Sequence, residues 1–117
     1  MRTDSVYAAR DHPEESVAIR FSQDSIRPEF RESQFGTIDE LAQELRTGRM
    51  QPDDVEPIRL VERTLITLDN RRLQAFRQAG VEIPTRMATL EELIHAERTG
   101  KFSAGAGGTG IIKIRRR

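Results

Sequence analysis

The residues with the clearest chemical potential lie between a short apolar strand, Leu65–Leu68, and a helix that we expect to end at Gly80. This turn, residues 69–72, has the sequence Asp-Asn-Arg-Arg. A helix N-terminus presents unpaired N–H groups and partial positive charge, and two adjacent arginines add full charges to it. The pattern therefore predicts a site for a phosphate or another anion. The alternative is that the two arginines form only a solvated helix face.

Each polar residue of this turn is assigned a role. Arg71 and Arg72 would clamp a phosphate during catalysis, and Asn70 would help to bind it. Asp69 would act as a base or as a metal ligand. Capping of the helix explains Asp69 equally well, because its carboxylate can accept hydrogen bonds from the amides of the first turn.

A second polar segment follows a predicted strand, with serine, glutamine, aspartate and serine at residues 22–25. Such residues fill turns or line a site, and both alternatives stay open. In a site, Gln23 would take part in catalysis, while Ser22 and Ser25 would bind and orient the substrate. Asp24 is the available second carboxylate for a metal-dependent nuclease. No set of metal ligands is assigned, and the cofactor stays open between a divalent metal and a nucleotide.

Composition limits the class of protein. The chain has 117 residues, enough for one domain with a modest core. Its 19 basic and 19 acidic residues cancel, which argues against an undirected binder of polyanions. Cysteine is missing from the sequence, so disulfides, thiolate nucleophiles and cysteine-bound zinc are excluded. No apolar run reaches membrane-spanning length, so we expect no membrane partner.

The beginning of the chain predicts a lead-in and a strand. Residues 1–16 are polar and lack periodicity, so we expect a flexible lead-in that contributes little to the core, followed by one domain over residues 17–117. Apolar and polar residues alternate over Val17–Ser22, which predicts a half-buried strand. The next six residues, 23–28, predict a turn that ends at a proline.

Two capping boxes predict helices. Thr37 and Glu40 open a helix that runs to about Arg46, and Thr89 and Glu92 open one that ends near residue 100. A stripe of apolar residues at helical spacing is expected on each. The stripe residues are Ile38, Leu41, Ala42 and Leu45 in the first of these helices and Leu90, Leu93 and Ile94 in the second.

The remaining strands complete a small α+β fold. Pro57–Glu62 and Leu65–Leu68 predict a hairpin. Val81–Met87 predicts a further strand, which Pro84 places at a sheet edge or a bulge. A glycine-rich turn and a last short strand, Ile111–Ile114, precede a basic C-terminal end. We therefore expect a single domain with three helices and a mixed sheet of about four strands.

The stretch Pro57–Pro84 resembles the core of the ParB/sulfiredoxin fold. In ParB-type chromosome-partitioning proteins, a strand pair leads into a Gly-Glu-Arg-Arg turn, a helix ending in Ala-Gly and a strand with Ile-Pro. This sequence has Asp-Asn-Arg-Arg at 69–72, Ala-Gly at 79–80 and Ile-Pro at 83–84. The resemblance extends over about residues 17–98 and implies a ParB/sulfiredoxin-like fold.

Departures from these families narrow what the resemblance implies. Aspartate and asparagine at 69–70 replace Gly-Glu, which argues against the nucleotide switch of partitioning proteins. The cysteine of sulfiredoxins is missing, which excludes sulfinate reduction. No helix-turn-helix pattern follows in this sequence, so we do not expect a role in partitioning.

The sequence also resembles the compact ParB-like domains at the C-terminal ends of bacterial polymorphic toxins. The matching residues are Phe21-Ser22-Gln23, Ser25-Ile26 and Leu68–Leu73. This implies an effector domain that acts on a phosphate-containing substrate, either as a nuclease on nucleic acid or as an enzyme on a free nucleotide, after export within a larger toxin. It would act in the target-cell cytoplasm, and a cognate immunity protein would be its partner. The alternatives are a non-catalytic nucleotide- or phosphate-binding module, and an interaction protein whose paired arginines make only salt bridges.

Overall fold

Short strands and three helices alternate along the chain in a computed structural model that describes residues 19–31, 34–62, 64–105 and 107–115. The predicted lead-in over 1–16, the start of the predicted first strand and the last two arginines lie outside the described residues. The strands are β1 Arg20–Phe21, β2 Ser25–Ile26, β3 Ile58–Leu60, β4 Ile66–Thr67, β5 Thr85–Met87 and β6 Lys113–Ile114. The helices are α1 Ile38–Thr47, α2 Asn70–Ala79 and α3 Leu90–Arg98, with a short 3-10 helix at Pro52–Asp54.

Four of the strands form a mixed sheet in the order β1-β4-β3-β5. The predicted hairpin is confirmed, because β3 and β4 pair antiparallel with Leu60 opposite Thr67. The outer pairs, β1 with β4 and β3 with β5, are parallel. β5 lies at the sheet edge, as the proline at position 84 predicted, and that proline's carbonyl accepts from the Ile58 amide at 3.0 Å. The predicted α+β fold with three helices and a four-stranded mixed sheet is confirmed.

A second, two-stranded sheet is where the sequence prediction was wrong. The turn predicted over residues 23–28 contains β2, which pairs parallel with β6. Ile26 is buried at 2% exposure, so it takes part in the core as well as in the pairing. Its partner strand is far away in the sequence, and the surrounding polar residues give the local composition of a turn. We call this pair of strands the β2–β6 ribbon.

The first capping box forms as predicted. The Thr37 hydroxyl accepts from the Glu40 amide at 3.1 Å, and the Glu40 carboxylate accepts from the Thr37 amide at 2.9 Å. The predicted stripe of α1 is also confirmed, and its four residues are buried: Ile38, Leu41, Ala42 and Leu45. Leu73 and Phe76 of α2 are fully buried as well. α1 and α2 therefore supply much of the core, and their packing fixes the position of α2.

The second capping box also forms, but the apolar stripe predicted for α3 is wrong. The Thr89 hydroxyl accepts from the Glu92 amide at 3.2 Å. Leu90 is 72% exposed and Ile94 is 44% exposed, whereas Ala96 is the buried residue of this helix. Periodicity identified the helix correctly and its inward face incorrectly. Among the described residues, no helix is long and apolar enough to cross a membrane.

The glycine-rich turn packs across β1. The amides of Phe21 and Thr109 each donate to the other's carbonyl, at 2.7 and 2.9 Å. Arg77 of α2 also joins this turn to β1. Its guanidinium donates to the carbonyls of Ile19 and Gly110 and lies 5.0 Å from the centre of the Phe21 ring. Burial, and then the charge of Arg20, lowers the pKa of Arg77. The C-terminal part of the chain is thereby held against the first strand.

Candidate functional site

Asp69 does not cap α2, which corrects the sequence prediction. The helix begins at Asn70 as expected, but no side-chain bond from Asp69 to the first-turn amides exists. Its carboxylate faces β3 instead. Oδ2 accepts from the Arg59 backbone N–H at 2.7 Å and from Arg59 Nε at 2.9 Å, and Oδ1 accepts from Arg59 Nη2 at 2.8 Å. The guanidinium brings a full positive charge and a two-pronged geometry that backbone amides lack, so this orientation is favoured over capping.

Arg72 points to the same carboxylate rather than to solvent. Its Nη2 lies 2.8 Å from Asp69 Oδ1, and its Nη1 donates to the carbonyls of Glu56 at 2.8 Å and Pro57 at 3.2 Å. The Arg72 side chain is 15% exposed and the Asp69 side chain 7%. The guanidinium predicted to clamp a phosphate is therefore occupied by acceptors of the protein itself.

These contacts continue as an ion ladder toward α3. Arg59 Nη1 lies 3.5 Å from Glu92 Oε2, and Arg86 donates to both oxygens of Glu92, at 3.0 and 2.7 Å. We call the set Arg72, Asp69, Arg59, Glu92 and Arg86 the ion ladder. It connects the start of α2, the middle of the sheet and the start of α3. The ladder therefore holds three of the chain's arginines in fixed positions.

The carboxyl groups of the ladder have lowered pKa values. Burial alone would raise the pKa of Asp69, but the hydrogen bonds from Arg59 and the charge of Arg72 outweigh it and hold that pKa below its usual value. The hydrogen bond from Arg86, followed by that from the Thr89 amide, lowers the pKa of Glu92 from 4.5 to about 2. Both groups are thus carboxylates well below neutral pH, and a carboxylate held this way is a weak base.

The fold should lose stability in acid because of these shifts. A carboxyl whose folded pKa is lowered stabilises the fold above its unfolded pKa, and this stabilisation disappears as the pH falls through the folded value. For Glu92 the window runs from about 4.5 down to about 2. Urea unfolding at stepped pH should show the free energy of unfolding decreasing across it. Glu92→Gln, which keeps the capping box, should make that decrease shallower; an unchanged slope would contradict the ladder.

The fold brings together three of the predicted site residues beside α2. The Asn70 side-chain carbonyl accepts from the Ser22 amide at 2.9 Å, and its amide donates to Ser22 Oγ and Gln23 Oε1, both at 3.1 Å. Ser22 is fully buried and Asn70 is 2% exposed. Their direct role is thus to hold the loop after β1 on the first turn of the helix. Gln23 is half-buried, and Ser25 lies apart from this cluster on the ribbon.

A lysine that the sequence prediction missed lies next to this cluster. The turn after α3 is held to the loop after β1, because the Ala104 amide donates to the Ser22 carbonyl at 3.0 Å and Ser103 Oγ lies 3.3 Å from both the amide and the carboxylate of Asp24. Lys101 lies within this turn and is half-buried. The described residues provide no acceptor for a hydrogen bond or ion pair with its ammonium group.

Lys101 lies in a positive environment. Burial lowers its pKa, and the charges of Arg71, Arg59 and Arg31 lower it further, against the opposing charge of Asp69. Arg71 also lies at this edge, with its Nε donating to the Arg27 carbonyl at 3.1 Å. The sequence offers only a weak indication that Lys101 is special, namely that the chain uses lysine at only two positions, 101 and 113.

The described ranges contain no group of three histidine, aspartate or glutamate side chains arranged to hold a metal ion. The two aspartates considered for such a role are engaged elsewhere. Asp24 accepts from Ser103, and Asp69 belongs to the ion ladder.

Fold and site together define a small α+β domain with a partly buried basic site, formed by the start of α2, the loop after β1 and the turn after α3. Comparison with known proteins adds no relative, because the chain matches no protein-family model, no curated protein and no solved structure.

Proposed function

We propose that the chain is the effector domain of a bacterial polymorphic toxin, with a ParB/sulfiredoxin-like fold, and that it acts as a nuclease on a phosphate-containing substrate. In this proposal it is exported within a larger toxin, acts in the target-cell cytoplasm and is neutralised by a cognate immunity protein. The support comes from the resemblance in sequence and from the positive charge gathered beside α2.

The half-buried side chain of Lys101, whose ammonium group has no acceptor among the described residues, is the observation that carries the proposal. A cation without an acceptor, with Arg71, Arg59 and Arg31 near it, is held at an electrostatic cost that a bound anion would remove. The N-terminus of α2 lies at the same edge and adds partial positive charge. A phosphate at this place would receive a charge-assisted hydrogen bond from Lys101 and favourable charge from Arg71. This favours a phosphate over a neutral or cationic ligand.

In this proposal the residues have roles that differ from those suggested by the sequence. Asp69 acts as a positioning residue that fixes Arg59 and Arg72, because two guanidinium groups occupy its carboxylate. Ser22 and Asn70 join the loop after β1 to α2, and their role is structural because both are buried. Lys101, Arg71 and Gln23 remain as the groups that would face the substrate. Positively charged donors of this kind stabilise the charge that develops on phosphoryl oxygens during transfer.

The second candidate is a non-catalytic nucleotide- or phosphate-binding module. The ion-paired state of Asp69 favours it, because the carboxylate first considered as a base already has two cationic partners. Both candidates place the phosphate at Lys101. They differ in whether a phosphodiester bond is broken, so purified protein incubated with labelled DNA, RNA and free nucleotides separates them.

Lys101→Gln tests the proposed function. We expect the nuclease activity of this variant to fall by about 100-fold or more. Removal of a single hydrogen-bond donor that stabilises the charge of a transition state has an effect of this size. Growth inhibition on expression in a bacterial host should be lost in parallel. The melting temperature should stay near that of the wild type, since no internal bond of the Lys101 ammonium is removed.

Arg98→Gln is the matched control, because it removes an exposed cation at the end of α3. It should leave cleavage and toxicity unchanged. Full activity of Lys101→Gln would contradict the site. Phosphate binding that depends on Lys101, without cleavage of any substrate, would select the non-catalytic module.

A further inference from the structure

We propose that the outer face of the β2–β6 ribbon is a second phosphate-contacting surface, which makes the substrate a polynucleotide rather than a free nucleotide. This inference rests on the proposed function, because it extends the phosphate site at Lys101. It assigns a function to a pair of strands that the sequence predicted as a turn and a separate last short strand.

The ribbon separates apolar from basic residues by strand alternation. Ser25 pairs with Lys113 and Ile26 with Ile114 in parallel register. Ile26 is buried and Ile114 packs against the core, whereas Lys113 is exposed. Successive side chains of a strand point to opposite faces. Ser25 and Lys113 therefore share the outer face of the ribbon.

The same register continues one residue beyond the paired strands. The Arg115 amide donates to the Ile26 carbonyl at 2.7 Å, so Arg27 and Arg115 follow side by side. Both are exposed. Lys113 and Arg115 are two residues apart, which corresponds to roughly 6.6 Å along a strand. The outer face thus presents Lys113, Arg115 and Arg27 together with the Ser25 hydroxyl.

These cations differ from those of the ion ladder. Arg59, Arg72 and Arg86 each have a carboxylate partner. In the ranges that the structure describes, no carboxylate pairs with the side chains of Arg27, Lys113 or Arg115. The acidic residues on these strands and their flanks are Asp24, which accepts from Ser103, and Glu29. The outer face of the ribbon therefore presents three exposed cations that have no carboxylate partner among the described residues.

The ribbon is continuous with the site at Lys101. Arg71, at the edge of that site, donates to the carbonyl of Arg27, which directly follows β2. On the other side, Asp24 directly precedes β2 and contacts Ser103, in the same turn as Lys101. A ligand with one phosphate group at Lys101 would not reach along the ribbon. A polymer whose phosphates repeat along its length would contact both surfaces.

The ribbon is suited to phosphates rather than bases. Its paired residues are serine, lysine and two isoleucines, so it offers no aromatic face on which a base could stack. Contacts to phosphates position a nucleic acid without reading its sequence. We therefore expect binding that is independent of sequence and strongly dependent on salt.

The test compares the full chain with a Lys113→Glu, Arg115→Glu double variant by fluorescence anisotropy. The probes are a short labelled single-stranded oligonucleotide and a labelled mononucleotide. We expect the double variant to bind the oligonucleotide at least about tenfold more weakly, with a salt slope reduced by about two, and to bind the mononucleotide normally. An Arg49→Glu, Arg98→Glu double variant is the control, since it reverses two exposed arginines away from the ribbon and should bind both probes like the wild type.

The outcomes separate this inference from the proposed function. If the wild type binds the mononucleotide through Lys101 but the oligonucleotide no more tightly, the ribbon proposal is overturned and the phosphate site stands. If the ribbon variant binds the oligonucleotide like the wild type, the ribbon proposal is again overturned. Binding of anionic vesicles without binding of the oligonucleotide would reassign the ribbon to a membrane surface. If neither probe binds, the proposed function fails as well. Melting temperatures show whether each variant is folded.

Discussion

Asp69→Asn is expected to lower the free energy of unfolding by about 3–5 kcal/mol, because it leaves two largely buried arginines without their shared carboxylate. The Arg59 and Arg72 side chains are 23% and 15% exposed, and both lie 2.8 Å from Asp69 Oδ1. An asparagine would also direct its amide group at one of the two guanidiniums. Had Asp69 been a helix cap, the same substitution would be nearly neutral, since asparagine caps about as well as aspartate.

Asp24→Asn is the matched control for this prediction. Asp24 is exposed and its carboxylate contacts one hydroxyl at 3.3 Å, so we expect a change within about 0.5 kcal/mol. Urea unfolding of both variants at neutral pH gives the comparison. A stable Asp69→Asn protein would show that the ion ladder contributes little, and that the start of α2 is held by its apolar contacts and by the hydrogen bonds of Asn70.

Gly108→Ala is expected to destabilise the fold by about 2–4 kcal/mol. Alanine disfavours the left-handed backbone conformation at this position, and its Cβ would overpack the turn against β1. Gly108 has φ +67°, and a Cβ added there would lie 2.7 Å from the Phe21 carbonyl oxygen. It would also lie 3.3 Å from the Arg20 Cβ and 3.3 Å from the Ile66 Cγ1. The turn would have to move away from β1, which would disturb the two backbone hydrogen bonds between Phe21 and Thr109.

Gly105→Ala in the same turn separates the two causes. Gly105 has φ +89°, but an added Cβ would meet no atom within 4 Å. It should therefore show the conformational cost alone, about 1 kcal/mol. Thermal and urea unfolding of both variants measure the difference. Equal losses at the two positions would mean that the turn does not pack closely on β1.

Local signals were sufficient for the helices of this fold. The capping boxes at Thr37 and Thr89 depend on bonds between residues three positions apart, so the sequence contains all the information that they require. The hairpin of β3 and β4 is nearly as local. The face of α3 was not predictable in this way, because Leu90, Leu93 and Ile94 match a helical stripe whether or not another element covers them.

The candidate site depended on contacts that are distant in sequence. The sequence identified the Asp69–Arg72 turn and the polar loop at Ser22–Ser25, and the fold does join Ser22, Gln23 and Asn70. It did not reveal that Asp69 would bind Arg59 on a neighbouring strand in preference to its own helix. Lys101 was missed for the same reason, because its surroundings come from α2 and from the loop after β1, which are far from it along the chain. The β2–β6 ribbon was missed because β2 pairs with a strand that is distant in the sequence.

The central claim is that Lys101 and the start of α2 bind a phosphate group, and the most direct measurement is crystallographic. Crystals soaked in tungstate, a heavy-atom analogue of phosphate, would be examined by anomalous diffraction, with the Lys101→Gln protein treated identically. We predict an anomalous peak within hydrogen-bond distance of Lys101 Nζ and next to Arg71, absent from the variant. A peak that persists in the variant, or tungstate bound only elsewhere on the wild-type protein, would contradict the claim.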